Sequence, residues 1–185
     1  MIFDGIVLAG GRSARLGGAP KARLMLDGRS LLQRSVDALA GARTVIVVGG
    51  SAPAGTVAVR ETPEFGGPAA GIAAGLAVSD AERVLVVACD MPLVESVVGA
   101  LLAAEGADGA LLVDDAGRDQ YLAGIYRADA LRASVARFSA ELHGLPVRRL
   151  LEDLNLTRVP AAGITRDIDT WEDAAEFGIA HEGEA

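Results

Sequence analysis

At 185 residues, 51% of them apolar, the chain can bury one sizeable α/β core and is short for several domains. Its net charge of −8 and its 4% of aromatic residues exclude a general nucleic-acid binder, which needs a basic face and exposed rings for stacking. One cysteine (Cys89) and two histidines (His143 and His181) exclude an internal disulfide and a Cys/His zinc cluster, and no apolar run is long enough to span a bilayer.

Apolar runs alternate with amphipathic segments, which predicts a mostly parallel sheet covered by helices. Residues 5–9 are apolar throughout, as a strand buried on both faces should be. A glycine-rich loop follows to about Lys21, then an extended piece over 23–26, closed by an Asp27-Gly28 turn. Ser30 is placed to cap a helix that carries Leu31, Leu32, Val36 and Leu39 on one face. Strands are expected over 44–48 and 57–60. A second glycine-rich loop over 65–71 then leads into a helix of small residues ending near Ala77. Residues 83–88 read as a central strand running into Cys89-Asp90-Met91-Pro92. Beyond it come a helix over 94–104, a strand over 109–113, a turn over 114–117 and an extended segment over 120–126. Helices over 128–138 and 147–153 and a short strand over 156–159 follow. Thr170 and Asp173 form a variant of the capping box for a final helix, and a polar tail begins at His181. No repeat or linker divides the chain, so one domain is expected. Residues 2–9 do not resemble a signal peptide, which makes the cytoplasm the expected location.

The first loop leaves the carboxyl end of the first strand, the edge of an open α/β sheet where ligands bind. Gly10, Gly11, Gly17 and Gly18 let backbone N–H groups approach phosphate oxygens closely. Arg12, Arg15, Lys21 and Arg23 make this stretch basic in an acidic chain, which suits a small anionic ligand. The spacing excludes a Walker A loop, because Lys21 follows Pro20 and precedes Ala22, and the dinucleotide fingerprint is absent. Glycines and cations alone fit a solvated surface loop equally well. Asp90 ends a buried strand, a costly place for a carboxylate unless it meets water, a partner or a metal. It fits a Mg²⁺ ligand for phosphate chemistry, or a cap for the turn before Pro92. Asp167 and Asp169, two apart on an extended segment, could share a cation or simply favour the dipole of the next helix. Gly67, Gly71 and Gly75 recur every four residues, for which close helix packing is the plain reading.

The string L-A-G-G-x-S-x-R-L-G-x-x-x-K over 8–21, followed by L-x-L-D-G-x-x-L-L over 24–32, resembles the signature of the MobA-like nucleotidyltransferases. Within that family it is most similar to the molybdenum cofactor guanylyltransferases. The likeness continues in Gly67-Pro68-Ala69-Ala70-Gly71, in Cys89-Asp90-Met91-Pro92 and in Asp167-Ile168-Asp169-Thr170, nearly the whole chain in order.

The resemblance implies a single Rossmann-like, three-layer α/β domain with a mostly parallel sheet, of the nucleotide-diphospho-sugar transferase type. That nucleotidyltransferase domain would cover residues 1–180, with 181–185 as its tail. It implies Mg²⁺-dependent transfer of GMP from GTP to the phosphate of molybdopterin, with release of pyrophosphate. In the family the first loop holds the triphosphate and its lysine steadies charge on the α- and β-phosphates. Carried over, this makes Leu8, Ala9, Gly10, Gly11, Arg12, Ser13, Lys21 and Asp90 nucleotide contacts, with Gly67, Pro68 and Gly71 beside the base. Lys21, Arg15 and Asp90 become the catalytic set, and Asp90 with Asp169 the metal ligands. The L-A-G-G and G-P-x-A-G patterns favour GTP over CTP, with Gly10 leaving room for a purine.

Three places depart from the family pattern: Gly49-Gly50-Ser51 where an Asn is common, Glu61-Thr62 where an Asp is common, and Arg118-Asp119-Gln120-Tyr121 in place of Arg-x-Gln-Pro. They bear on base, ribose and acceptor. They keep open a CTP-dependent or sugar- or alcohol-phosphate transferase, and a non-catalytic nucleotide-binding regulator. The expected partners are GTP and a phosphorylated small molecule, with transient docking on proteins that deliver or receive the cofactor, and neither nucleic acid nor membrane.

Overall fold

The computed structural model describes residues 1–11, 16–161, 163 and 167–179. Strand β1 (Asp4–Leu8) is followed by a two-stranded hairpin, β2 (Met25–Leu26) and β3 (Arg29–Ser30), which stands apart from the main sheet. In that sheet β1 lies between β4 (Val45–Val48) and β6 (Arg83–Ala88), parallel to both, and β5 (Val57–Val59) continues the parallel set beyond β4. On the other side, β8 (Asp119–Arg127) runs antiparallel between β6 and β7 (Gly109–Val113), and β9 (Leu156–Pro160) pairs parallel with β7. One strand in seven is reversed, so the sheet is mostly parallel, as its apolar strands implied.

Alternation along the strands feeds a core on each face. Ile6, Leu8, Ile46, Val48, Val84 and Val86 pack with residues of α2 (Pro68–Val78), α4 (Ala128–Arg137) and α5 (Val147–Leu150). Val7, Val47, Leu85 and Val87 point the other way, toward α1 (Leu31–Ala38) and α3 (Glu95–Ala103). Helices cover both faces, so inward and outward positions alike are aliphatic. A smaller third cluster joins Leu16, Leu24, Leu26 and Leu31 to Ile168, Ala174 and Ile179, and so fastens α6 (Trp171–Glu176) beside the first loop. No helix among the described residues is long and apolar enough to cross a membrane.

Several local signals act as their chemistry requires. Asp27 and Gly28 take positive φ values, 51° and 76°, which give a two-residue hairpin turn with the twist of its strands. Ser30 caps α1 by accepting from the Gln33 N–H at 3.1 Å, and Thr170 and Asp173 form a complete capping box for α6. Three expectations change. Residues 21–23 form a 3₁₀ turn after Pro20, so only 25–26 of the extended piece is strand. The second loop ends at Gly67, because Pro68 occupies the first helical position, where its missing N–H costs nothing. The helix begun at Val147 stops at Leu150 rather than near 153.

Candidate functional site

The chain lays β4 on one side of β1 and β6 on the other, which makes the carboxyl end of β1 a topological switch point. Pairing continues past the strand ends: the Ala9 N–H donates to Val48 O at 2.9 Å and the Cys89 N–H to Leu8 O at 3.1 Å. These bonds fix where Gly10, Gly49 and Asp90 emerge. A cleft of about 1080 Å³ opens above them. Leu8, Ala9, Gly10, Gly11 and Lys21 line it from the first loop, Gly67, Pro68 and Gly71 from the start of α2, and Asp90, Asp167 and Asp169 from the loops after β6 and before α6. Arg12, Ser13 and Arg15, also expected here, lie outside the described residues.

Lys21 forms the centre of the charged floor. Its Nζ donates to Asp90 Oδ2 at 2.7 Å and to Asp169 Oδ1 at 2.5 Å, with the Lys21 and Asp90 side chains only 18% and 20% exposed. Partial burial disfavours the ammonium, but the charges and hydrogen bonds of the two aspartates outweigh it and raise the Lys21 pKa. Asp167 joins them at the mouth. Surrounding protein mass, and then the charges of Asp90 and Asp169, push its carboxyl up to about 7. Asp167 itself stays open to solvent.

Asp169 is set in place by its neighbours. The Ile168 N–H donates to Asp90 O at 3.0 Å while the Ile168 side chain is fully buried in the third cluster. The capping carboxylate of Asp173 accepts from the Asp169 N–H at 3.0 Å and the Thr170 N–H at 2.7 Å. Cys89 lines the cleft but takes no part in its charge. Burial and the adjacent Asp90 push its thiol up to about 12, which leaves it a small buried hydrophobe at neutral pH.

Glycines shape one wall. A Cβ on Gly49 would stand 2.7 Å from the Gly10 Cα, and its φ is +84°, so the loops after β1 and β4 meet backbone to backbone. The missing side chain of Gly10 faces Gly49 in turn, 3.4 Å from its Cα. Gly10 therefore lies against the loop after β4 as well as along the cleft. Gly71 and Gly75 pack against the sheet, where added Cβ atoms would come within 3.2 Å of Leu8 Cδ2 and 2.8 Å of Ile6 Cγ2. Gly67 does not share that contact. Its φ is +86° and it caps α2.

Sequence reasoning missed part of the lining. Phe65 stands beside Glu61, whose Oε1 accepts the Phe65 N–H at 3.2 Å. At the other end Val147 and Arg148 of α5 line the cleft together with Gln120 and Tyr121 of β8, the stretch the sequence had singled out. Arg118 turns instead to Asp114, at 2.7 Å. The only sequence signal for Phe65 was an aromatic residue directly before Gly66-Gly67, and Arg148 had none.

Residues 5–159 match the MobA-like NTP transferase domain. The chain belongs to the MobA-like NTP transferase family. The matched span includes Lys21 and Asp90 but ends before Asp167 and Asp169, which the tertiary structure brings to the same floor. Among curated proteins this family member is similar to the molybdenum cofactor guanylyltransferase of Sinorhizobium fredii, 36% identical over 122 residues, 60% of this chain and 53% of that protein. The chain spans about half the length of the curated relatives it matches. Among solved structures it is similar to a Mycobacterium tuberculosis protein's homologue from Mycobacterium sp. strain JC1, with a TM-score of 0.72, 26% identity and coverage of 94% of this chain and 93% of that one. It also shares the fold of molybdopterin-guanine dinucleotide biosynthesis protein A from Archaeoglobus fulgidus, with a TM-score of 0.66, 20% identity and coverage of 94% and 96%.

Proposed function

We propose that this protein is a Mg²⁺-dependent nucleotidyltransferase that moves GMP from GTP to the phosphate of molybdopterin and releases pyrophosphate. One observation carries the reading: a protonated lysine held between two carboxylates on the floor of a cleft at the sheet's switch point. The guanylyltransferase relatives support the choice of GTP and acceptor.

The residues fit the metal. Two carboxylates that share one ammonium are spaced to share a cation, and their hard oxygens suit Mg²⁺. No cluster of three or more metal-ligating side chains occurs among the described residues, so phosphate oxygens and water would complete the shell. Bound there by Asp90 and Asp169, Mg²⁺ would neutralise charge on the phosphates.

The rest of the chemistry belongs to the chain. Amides of Gly10 and Gly11 cradle the phosphates, with Arg12, Ser13 and Arg15 assigned beside them. Lys21, kept protonated, presents a fixed charge to the α- and β-phosphates and cannot serve as a base. Gln120, Tyr121 and Arg148 face the incoming acceptor from the other end. An oxygen of the acceptor phosphate attacks the α-phosphorus as the bond to the departing pyrophosphate breaks in line. Such a step needs positioning and charge neutralisation rather than a covalent intermediate.

The test is pyrophosphate release from GTP or CTP with Mg²⁺, with and without molybdopterin. Release that requires GTP and the acceptor together is expected. Release with CTP instead would overturn the base assignment, and tight GTP binding without release under this acceptor would overturn the acceptor.

A further inference from the structure

We propose that Arg148 is the cation that takes the acceptor's phosphate, and that it makes the β8 side of the cleft a subsite for phosphomonoesters. This rests on the cleft being the transferase site proposed above.

Strand order divides the cleft. Gly10, Lys21 and Asp90 stand where β1 and β6 end, and Gly49 and Glu61 lie on the β4 and β5 side. Strand β8 is the neighbour of β6 on the side away from β1, and it runs antiparallel, so its first residues emerge beside the carboxyl end of β6. Gln120 and Tyr121 therefore line the cleft beyond Asp90. Arg148 comes to the same side from α5. Tyr121, Leu122 and Val147 pack against one apolar cluster, and Leu150 is buried in it. The Leu150 carbonyl accepts the Ser134 hydroxyl, and the Arg149 guanidinium lies 5.7 Å from the centroid of the Phe138 ring. Val147, Leu150 and Arg149 thus anchor this turn of helix, and Arg148 is left to the cleft.

The neighbouring cations are taken. Lys21 lies between Asp90 and Asp169, and Arg60 pairs with Glu64 at 2.7 Å. Beside β8, Arg158 donates to Asp119 at 2.7 Å and to the Gly117 carbonyl at 2.5 Å, while Arg118 is held by Asp114. Arg148 has no ion pair among the described residues. Arg23 is likewise unpaired but stands on the turn of Lys21, in the loop assigned to the nucleotide. The charge of Arg148 reaches the Tyr121 phenol: burial and Asp119 raise that pKa, and Arg148 and Arg158 work against them. The phenol is itself placed, its oxygen 3.4 Å from Asp119 Oδ2 and the Tyr121 carbonyl accepting the Tyr126 hydroxyl at 2.7 Å. Five carboxylates line the cleft among the described residues: Glu61, Asp90, Asp119, Asp167 and Asp169. A phosphate entering from the β8 side is repelled by them unless an unpaired cation receives it. A guanidinium suits the task, because its planar fork takes two phosphate oxygens at once and leaves the third for attack.

The experiment is calorimetric binding of molybdopterin, and of dephosphorylated molybdopterin, to the wild type, Arg148→Ala and Arg148→Lys, with GTP binding measured alongside. The wild type should prefer the phosphorylated form. Arg148→Ala should weaken molybdopterin about ten- to a hundredfold, the range for losing a hydrogen bond to a charged group, and leave the dephosphorylated form bound as before. Arg148→Lys should restore part of the loss, since it keeps the charge but not the fork. GTP affinity and melting temperature should not change, because Arg148 is exposed and belongs to no apolar cluster. In turnover the loss should fall on KM for the acceptor. Unchanged molybdopterin affinity in Arg148→Ala, equal weakening of both forms, or loss of GTP in place of molybdopterin would overturn the phosphate subsite and leave the transferase reading standing. A wild type that binds GTP but neither form of molybdopterin would overturn the proposed acceptor together with the subsite.

Discussion

Lys21 sits between Asp90 and Asp169 before any substrate arrives, at 2.7 and 2.5 Å. Its raised pKa keeps it charged through the neutral range, so in the proposed reaction its task would be to supply positive charge. Removing it as Lys21→Ala should lower turnover by about 10²–10³, the usual cost of losing one group that stabilises transition-state charge, as read by pyrophosphate release. The same variant leaves the two aspartates facing each other without a cation. Mn²⁺ alone should then bind it more tightly than the wild type, in an electron paramagnetic resonance titration without nucleotide. Equal affinities would mean that the pair does not share a cation site. Lys21 and Asp90 were legible in the sequence because each stands in a contiguous string or at a strand end. Asp169 was legible only as one of two aspartates that also suited the following helix, and contact with Lys21 separates it from Asp167.

The two longer glycine-bearing helices show that the surroundings decide what a glycine does. Gly75 in α2 lies against β1, where an added Cβ would stand 2.8 Å from Ile6 Cγ2, and Ile6 is fully buried. Gly99 in α3 is exposed, and an added Cβ would meet nothing within 4 Å. Alanine gains about 1 kcal/mol over glycine inside a helix, while overpacking a core costs about 1–3 kcal/mol. Gly99→Ala should therefore stabilise by up to about 1 kcal/mol. Gly75→Ala should be neutral to destabilising and Gly75→Val clearly destabilising, by about 1–3 kcal/mol in urea unfolding. The spacing of Gly67, Gly71 and Gly75 suggested helix packing, but the partner proved to be the sheet, and Gly67 belongs to the cap. Periodicity shows which face is small, not what covers it.

For the whole molecule, the site depends on the chain's return after β9. Ile168 fills the third cluster and its N–H holds the loop after β6, so Ile168→Ala should cost about 2–5 kcal/mol. Turnover should also fall at temperatures where circular dichroism still reports a folded protein, because the mount of Asp169 has loosened. The opposite end of the sheet carries a different dependence. Asp4, 1% exposed, is screened from water by Arg43, at 3.1 and 2.9 Å, and by Ser79, at 2.6 Å, rather than by depth. Burial alone would raise its pKa, but these partners outweigh it and hold the carboxyl below the usual carboxylate range. A folded pKa below the unfolded one means that the contribution is present at neutral pH and lost as pH falls through the folded value. Asp4→Asn should lower Tm at pH 7, and below about pH 4 its melting temperature should fall less steeply than that of the wild type.

The sequence by itself determined most of the elements and the basic, glycine-rich character of the first loop. Aliphatic strands, caps such as Ser30 and Thr170 and the Asp27-Gly28 turn act through neighbours a few residues away, so their chemistry is written locally. Tertiary structure alone decided which carboxylates meet Lys21, that Gly10 answers Gly49, that Arg118 leaves the cleft and that Phe65 stands at its rim. Those outcomes depend on strand order and on the third cluster folding the C-terminal segment back. Contacts between residues far apart in the chain leave no spacing in a sequence to read.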